Sequence, residues 1–208
     1  MPDDQYITAS CIISNHVVYK DETLVFEKKD VDLPGFLLSV YEHFQLKYPK
    51  FYKMDNLSKL GLLAAEVLLN DGSVADNYQP GEIGVVLANA SSSLDTDIRY
   101  FETIKNIASP AVFVYTLPNI MIGEICIRHN FKGENAFFIF ETFNAGFIQR
   151  YVSNLFNNNN VRACICGWVE LMENQYKAAL FRVEKGKEKH TTLFSIENVN
   201  KIYEVENG

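Results

Sequence analysis

The chain has 208 residues, 48% of them hydrophobic, and a formal net charge of −7. Residues 1–208 suffice for one substantial domain or two very small ones, and that apolar fraction supports a large core and excludes general disorder. The acidic balance excludes a general nucleic-acid binder, because no broad basic surface is available to displace phosphate counterions. No basic start precedes a hydrophobic run, and no apolar run is long enough to span a bilayer. A cytoplasmic protein without membrane contact is therefore expected. Cys11, Cys126, Cys164 and Cys166 fit such a compartment as reduced thiols. Cys164 and Cys166 would share one face of a strand, and no further ligands stand at suitable spacing. Core thiols are expected, with no metal and no cofactor.

In chain order, "YITASCIISNHVVY" is rich in β formers and should open a sheet. Residues 21–33 are charged around a short apolar run and suit a loop or edge ribbon. "PGFLLSVYEHFQLKYP" begins with Pro-Gly and has helical spacing at Phe36, Leu37, Val40 and Phe44, with Pro49 as its stop. "MDNLSKLGLLAAEVLLND" predicts the clearest helix, capped by Asp55 or Asn56 and apolar over most of its circumference. "EIGVVLAN" is a short continuous apolar run, the sign of a strand covered on both faces. "ASSSLDTDIRYFETI" gives a turn and then a helix from Leu94 or Asp95. Such a turn can offer backbone N–H groups to phosphate, but it lacks the glycine and lysine pattern of a P-loop. Its serines are read as caps.

"PAVFVYTLPN" is strand-like, and "IMIGEICIRHNF" can be helical despite its β-branched residues. Gly133 turns the chain into "NAFFIFETFNAGF", a phenylalanine-rich strand that stops at Glu141 and Thr142. "AGFIQRYVSNLF" reads as a helix, "NNNN" as a solvated loop and "VRACICGWVEL" as a buried strand. "KAALFRVEKG" and "TTLFSIENVNKIYEV" have the alternation of an antiparallel hairpin or sheet edge. Strands alternating with helices imply a layered α/β fold.

Taken in this order, four of these segments resemble the N-terminal half of β-ketoacyl synthases, the condensing enzymes of fatty-acid and polyketide synthesis. They are "KMDNLSKLGLLAAEVLL", "IGVVLANASSSLDTD", "SPAVFVYTLPNIMIGEICIRHNFKGENAFFIFETFNAGF" and "CICGWVE". Leu117-Pro118-Asn119 and Gly133-Glu134-Asn135 stand at the family's Leu-Pro-Asn and Gly-Pro-Asn positions. Gly167 and Glu170 fall where the family has a Gly-Gly-Ala-Glu turn. The resemblance covers residues 45–172 and needs no gap from Gly133 to Glu170. It implies one half of a thiolase-like layered fold: a mixed five-stranded sheet between helices, with residues 173–208 as a short C-terminal β extension.

The resemblance also implies roles. The family's nucleophilic cysteine, at the end of the phenylalanine strand, falls on Thr142. A threonine hydroxyl needs a neighbouring base to attack, and Glu141 beside it faces the other way along a strand. Complete condensing enzymes also carry two histidines in a C-terminal half, which should begin about where this chain ends. His16, His43, His129 and His190 match neither, and His129 is read as surface packing. Lys47, Lys50 and Lys53 form a basic cluster just ahead of the Met54-Asp55 pair, read as docking the acidic acyl carrier protein, and Lys50 and Lys53 correspond to the family's contact positions. Otherwise they solvate a loop. Asn135, Phe137, Phe138, Ile139 and Phe140 belong to the strand that pairs across the family's dimer, or else to a plain core strand. An uncovered sheet face is expected to be closed by residues 173–206 or by a second protein.

Three roles follow from the resemblance. The chain would be a non-catalytic subunit that pairs with a full-length ketosynthase or itself and recruits carrier protein. Alternatively it transfers acyl groups or decarboxylates malonyl groups with help from a partner chain, or it is a dimeric scaffold without chemistry.

Overall fold

The computed structural model describes residues 4–186 and 191–205. The chain opens with β1 (Gln5–Ser14), β2 (Val17–Lys20) and β3 (Thr23–Glu27). Asn15 and His16 between β1 and β2 both have positive φ, as a type I′ hairpin turn requires. α1 (Leu33–His43) is capped by Asp32, whose carboxylate accepts from the Gly35 N–H at 2.8 Å. It ends at His43, ahead of the expected stop at Pro49. After a 3-10 turn at Pro49–Lys53 comes α2 (Asn56–Leu68), capped by Asp55. α3 (Ser73–Asn77) and a 3-10 turn lead into β4 (Ile83–Asn89), buried at every position as the continuous apolar run predicts.

α4 (Leu94–Ile104), α5 (Pro110–Phe113) and α6 (Asn119–His129) then lead to β5 (Asn135–Ile139). The expected strand at "PAVFVYTLPN" is absent. Ser109 caps a single helical turn with Pro110 in its first turn, and further turns carry the chain into α6. β5 is followed by α7 (Ala145–Asn157), β6 (Ala163–Met172), β7 (Gln175–Lys185), β8 (Thr192–Leu193) and α8 (Ile196–Tyr203).

One sheet joins the strands in the order β3-β2-β1-β7-β6-β4-β5, with β8 beside β1. Its middle, β1-β7-β6-β4-β5, is the expected five-stranded mixed sheet, widened to eight strands by the hairpin and β8. β5, β4 and β6 run parallel, while β7 is antiparallel to both β6 and β1. The expected C-terminal strands are present as β7 and β8, but β7 is not appended to the sheet. β7 is a central strand, buried from Ala178 to Glu184. The expected final strand is instead mostly α8, capped by Ser195 and burying Val199 and Ile202. Gly167 and Glu170 lie within β6 and not in a turn.

Alternation along the strands divides the core in two. Ala9, Cys11 and Ile13 of β1 face α1, α2 and α6, together with Val85 and Leu87 of β4. Val86, Ala88, Cys164, Cys166 and Phe181 face α7 and α8. The closing segment thus covers the second sheet face. Both cysteines of β6 are core thiols, and burial pushes the Cys166 thiol well up.

Two close approaches depend on glycine, one between helices and one within the sheet. Any side chain at Gly61 would meet the Met121 sulfur at 2.2 Å, so α2 and α6 pack nearly in contact there. At Gly167, with φ +147°, an added Cβ would lie 2.0 Å from the Ala179 carbonyl oxygen of the neighbouring strand. The Gly167→Ala variant is expected to lose about 3 kcal/mol from backbone strain and steric conflict. Its urea midpoint should fall without a change in denaturant slope.

Candidate functional site

The carboxyl ends of parallel strands are where α/β folds build sites, most readily where neighbouring strands send their chains to opposite faces. β4 and β5 meet that condition: β4 leads through α4 to α6, which packs on α2, and β5 leads to α7 on the other face. Glu141, Thr142 and Phe143 form the elbow between β5 and α7. Thr142 and Glu141 are exposed, and neither side chain makes a hydrogen bond or ion pair among the described residues. Asn144, two residues beyond Thr142, caps α7 through the Phe147 N–H at 2.9 Å. Thr142 therefore stands just outside the helix terminus.

No described histidine serves this elbow. His16 lies against Phe36 and Tyr176, and His43 against Phe26 and Phe44. His129 stacks on Phe131 beside Glu66 and is largely inside the protein, which corrects the surface reading. His190 lies outside the described residues. The elbow's own neighbours are aromatic: Phe143 stacks on Tyr203 at 4.0 Å and meets Trp168 edge-on.

The adjoining β4–α4 turn already holds an anion of its own. Glu170 accepts the N–H groups of Ala90 at 2.6 Å and Ser91 at 3.1 Å, so the amides that phosphate would use are occupied. The turn is fastened from within by the buried Asn89, which exchanges two hydrogen bonds with the Ser92 backbone. Its serines do not cap α4 as expected. Ser93 Oγ donates to the Thr116 carbonyl at 2.9 Å and makes no side-chain bond to the helix amides. The other Glu170 oxygen is buried without a partner among the described residues.

Of the three lysines, Lys47 and Lys53 are exposed and make no ion pair among the described residues. Lys50 is committed to the fold, with its Nζ 2.8 Å from Oε1 of Glu124, a carboxylate only 3% exposed. Tyr115 donates to the same oxygen at 3.3 Å, and burial together with that carboxylate raises the phenol's pKa. Sequence reading missed this cluster. Its signal was one acid at the centre of the otherwise apolar "IMIGEICI", a residue that must find a cation or a donor if the helix is buried.

β5 is an edge of the sheet, as its expected role at an interface requires, but its rings are not what it presents. Phe138 and Phe140 pack on Phe147, and Phe138 also on Tyr151, while Phe137 joins the α2–α6 side. The open features are Ile139, 49% exposed, and the outer row of backbone groups.

No family model matches the sequence, and no curated protein is similar enough to count as a relative. Solved structures do match. The ishigamide ketosynthase/chain length factor aligns with a TM-score of 0.64 at 17% identity, over 90% of this chain and 63% of that one. A chain of AntDE:AntF, a type II PKS acyl-carrier protein in complex with its ketosynthase, aligns with a TM-score of 0.60 at 14% identity. That match covers 88% of this chain and 62% of the other. A chain of the ketosynthase ApeO in complex with its chain length factor ApeC, from Xenorhabdus doucetiae, aligns with a TM-score of 0.60 at 11% identity. There the shared fold covers 96% of this chain and 90% of that one. No helix among the described residues is long and apolar enough to cross a membrane.

Two outcomes test these placements. Lys50→Met should cost about 1–3 kcal/mol by stranding a buried carboxylate, and adding Glu124→Gln should recover most of it in urea melts. Burial holds the His129 pKa below its usual 6.5, so protonation favours the unfolded chain. Stability should be complete above the unfolded pKa and decline as the pH falls from there towards the lower folded value. His129→Phe should flatten that decline. The order of strands, the two helical layers and the elbow together give the chain the thiolase-like fold of ketosynthases and chain-length factors.

Proposed function

We propose that the chain is a ketosynthase-like partner subunit that does not itself form an acyl-enzyme. The observation that carries this reading is the elbow. Thr142, which the resemblance to condensing enzymes puts at the nucleophile's position, is exposed at the elbow, with no imidazole or carboxylate bonded to its hydroxyl among the described residues. A hydroxyl so placed has no means of losing its proton as it attacks a thioester. The chain would act by pairing with a synthase that supplies the chemistry for fatty-acid or polyketide assembly. Support comes from the open edge at β5 and from the solved neighbours, in which a ketosynthase is found with a chain length factor or with a carrier protein.

Pairing would use the outer row of β5. The Phe140 N–H bonds Asn89, so alternation turns the Ile139 N–H away from the sheet, where a second chain's strand can accept it. Carrier protein would be steered by Lys47 and Lys53, which raise encounter rates with an acidic partner, while Lys50 serves the fold.

Incubating the purified chain with radiolabelled acetyl- and malonyl-carrier protein should give neither CO₂ nor covalent acyl label. Label on Thr142 would sink the reading. Ile139→Pro should abolish co-purification with a ketosynthase encoded beside it, with little change in stability. Lys47→Glu with Lys53→Glu should slow carrier association about tenfold at low salt, less at high salt.

A further inference from the structure

The asparagine run after α7 does more than connect two elements. Asn159 takes a left-handed turn at φ +56°, and the N–H groups of Asn158, Asn159 and Asn160 bond the Asn154, Phe156 and Leu155 carbonyls. The backbone alone thus satisfies the last turn of α7. The side chains of Asn159 and Asn160 make no hydrogen bond among the described residues. Both line a cleft of about 410 Å³, together with Tyr78, Glu82, Arg162 and Lys185. The cleft lies where β4 and β6 begin and β7 ends, at the opposite end of the sheet from the elbow.

Its donors are largely unspent. The Arg162 guanidinium lies 5.6 Å from the centre of the Tyr78 ring and makes one long contact, Nη1 to Glu82 Oε1 at 3.4 Å. Glu82 is held from its other oxygen, which accepts the Gln79 N–H at 2.9 Å. Lys185 is half-buried and makes no ion pair among the described residues. Two cations and two free amides therefore meet one carboxylate here, on a chain whose net charge is −7. That arrangement suits an anion with several acceptor oxygens. A guanidinium fork binds two oxygens of a phosphate, an ammonium binds the third, and a primary amide can serve either. A bare phosphate would leave most of the cleft empty, because its volume falls within the range of small-molecule sites.

We infer that the cleft binds a phosphorylated small molecule, a phosphomonoester whose phosphate is held by Arg162 and Lys185 and whose body is bonded by Asn159 and Asn160. Glu82 sets the affinity, since its carboxylate competes with the ligand for Arg162. The site is separate from both the elbow and β5, so it does not depend on the function proposed above.

The test is isothermal titration calorimetry of the purified full chain at low salt with adenosine monophosphate, glucose phosphate and inorganic phosphate. Adenosine and glucose serve as uncharged controls. At least one ester should bind with a dissociation constant below about 1 mM, more tightly than inorganic phosphate, and the controls should not bind. Arg162→Gln with Lys185→Gln should weaken that ester at least about tenfold without altering the circular dichroism spectrum. Glu82→Gln keeps an acceptor for the Gln79 N–H and should tighten binding about threefold by removing the competing charge. If the two cations only complement the carboxyl end of α7, the variants will change stability and leave the titrations unmoved. That result would overturn the inference. So would the absence of binding by both esters, binding of inorganic phosphate or the controls as tight as that of the esters, or weaker binding in Glu82→Gln.

Discussion

The constraint on which the molecule depends is a sheet whose middle strands are buried on both faces. β4, β6 and β7 carry apolar side chains in both directions, so each face needs its own helical layer. α1, α2 and α6 supply one and α7 with α8 the other. Everything that positions the elbow follows from this. β5 must run along one edge beside β4 and send α7 back over the opposite face.

Burial on this scale leaves polar groups to be reconciled, and the structure does so with charges drawn from distant segments. Arg182 sits inside β7, where its guanidinium binds Asp71 at 2.9 Å, Thr8 at 2.8 Å and Glu184 at 3.1 Å. Glu170 takes the backbone amides of the β4–α4 turn, and Glu124 draws in Lys50 and Tyr115. Groups that look like solvent-facing charges, or like docking and phosphate-binding elements, are therefore partly fastenings of the fold. Around Thr142 the molecule makes no such investment. The elbow has aromatic support but no acid–base partner among the described residues, which is why we propose that a partner chain supplies the chemistry.

Local pattern made most of this architecture legible. The Asp55 cap, the apolar circumference of α2, the continuous run of β4 and the stop after Phe140 each depend on near neighbours in sequence. The failures share a cause. The alternation of β7 suits a hairpin or a sheet edge; it does form a hairpin with β6 but sits in mid-sheet, where Arg182 is met by Asp71 and Glu184 by Thr8, both far away in sequence. The closing helix was read as a strand because its β-branched residues outweighed the Ser195 cap and the three-residue spacing of Ile196, Val199 and Ile202. The segment at Pro110 was misread the same way. At the site, the end of the phenylalanine strand was legible from the polar pair Glu141 and Thr142, whereas the engagement of Lys50 was not, because Glu124 lies on another helix.

The sequence by itself determined which segments become helix or strand over most of the chain, that a layered α/β core forms, and which residue stands at the strand-to-helix elbow. These are matters of periodicity, capping and count. The tertiary structure alone decided the central place of β7, the pairing of buried charges, and the cleft that gathers Tyr78, Arg162 and Lys185 around the asparagine loop. Each of those depends on which surfaces meet across long stretches of chain, and a local pattern carries no record of which distant segments will become neighbours.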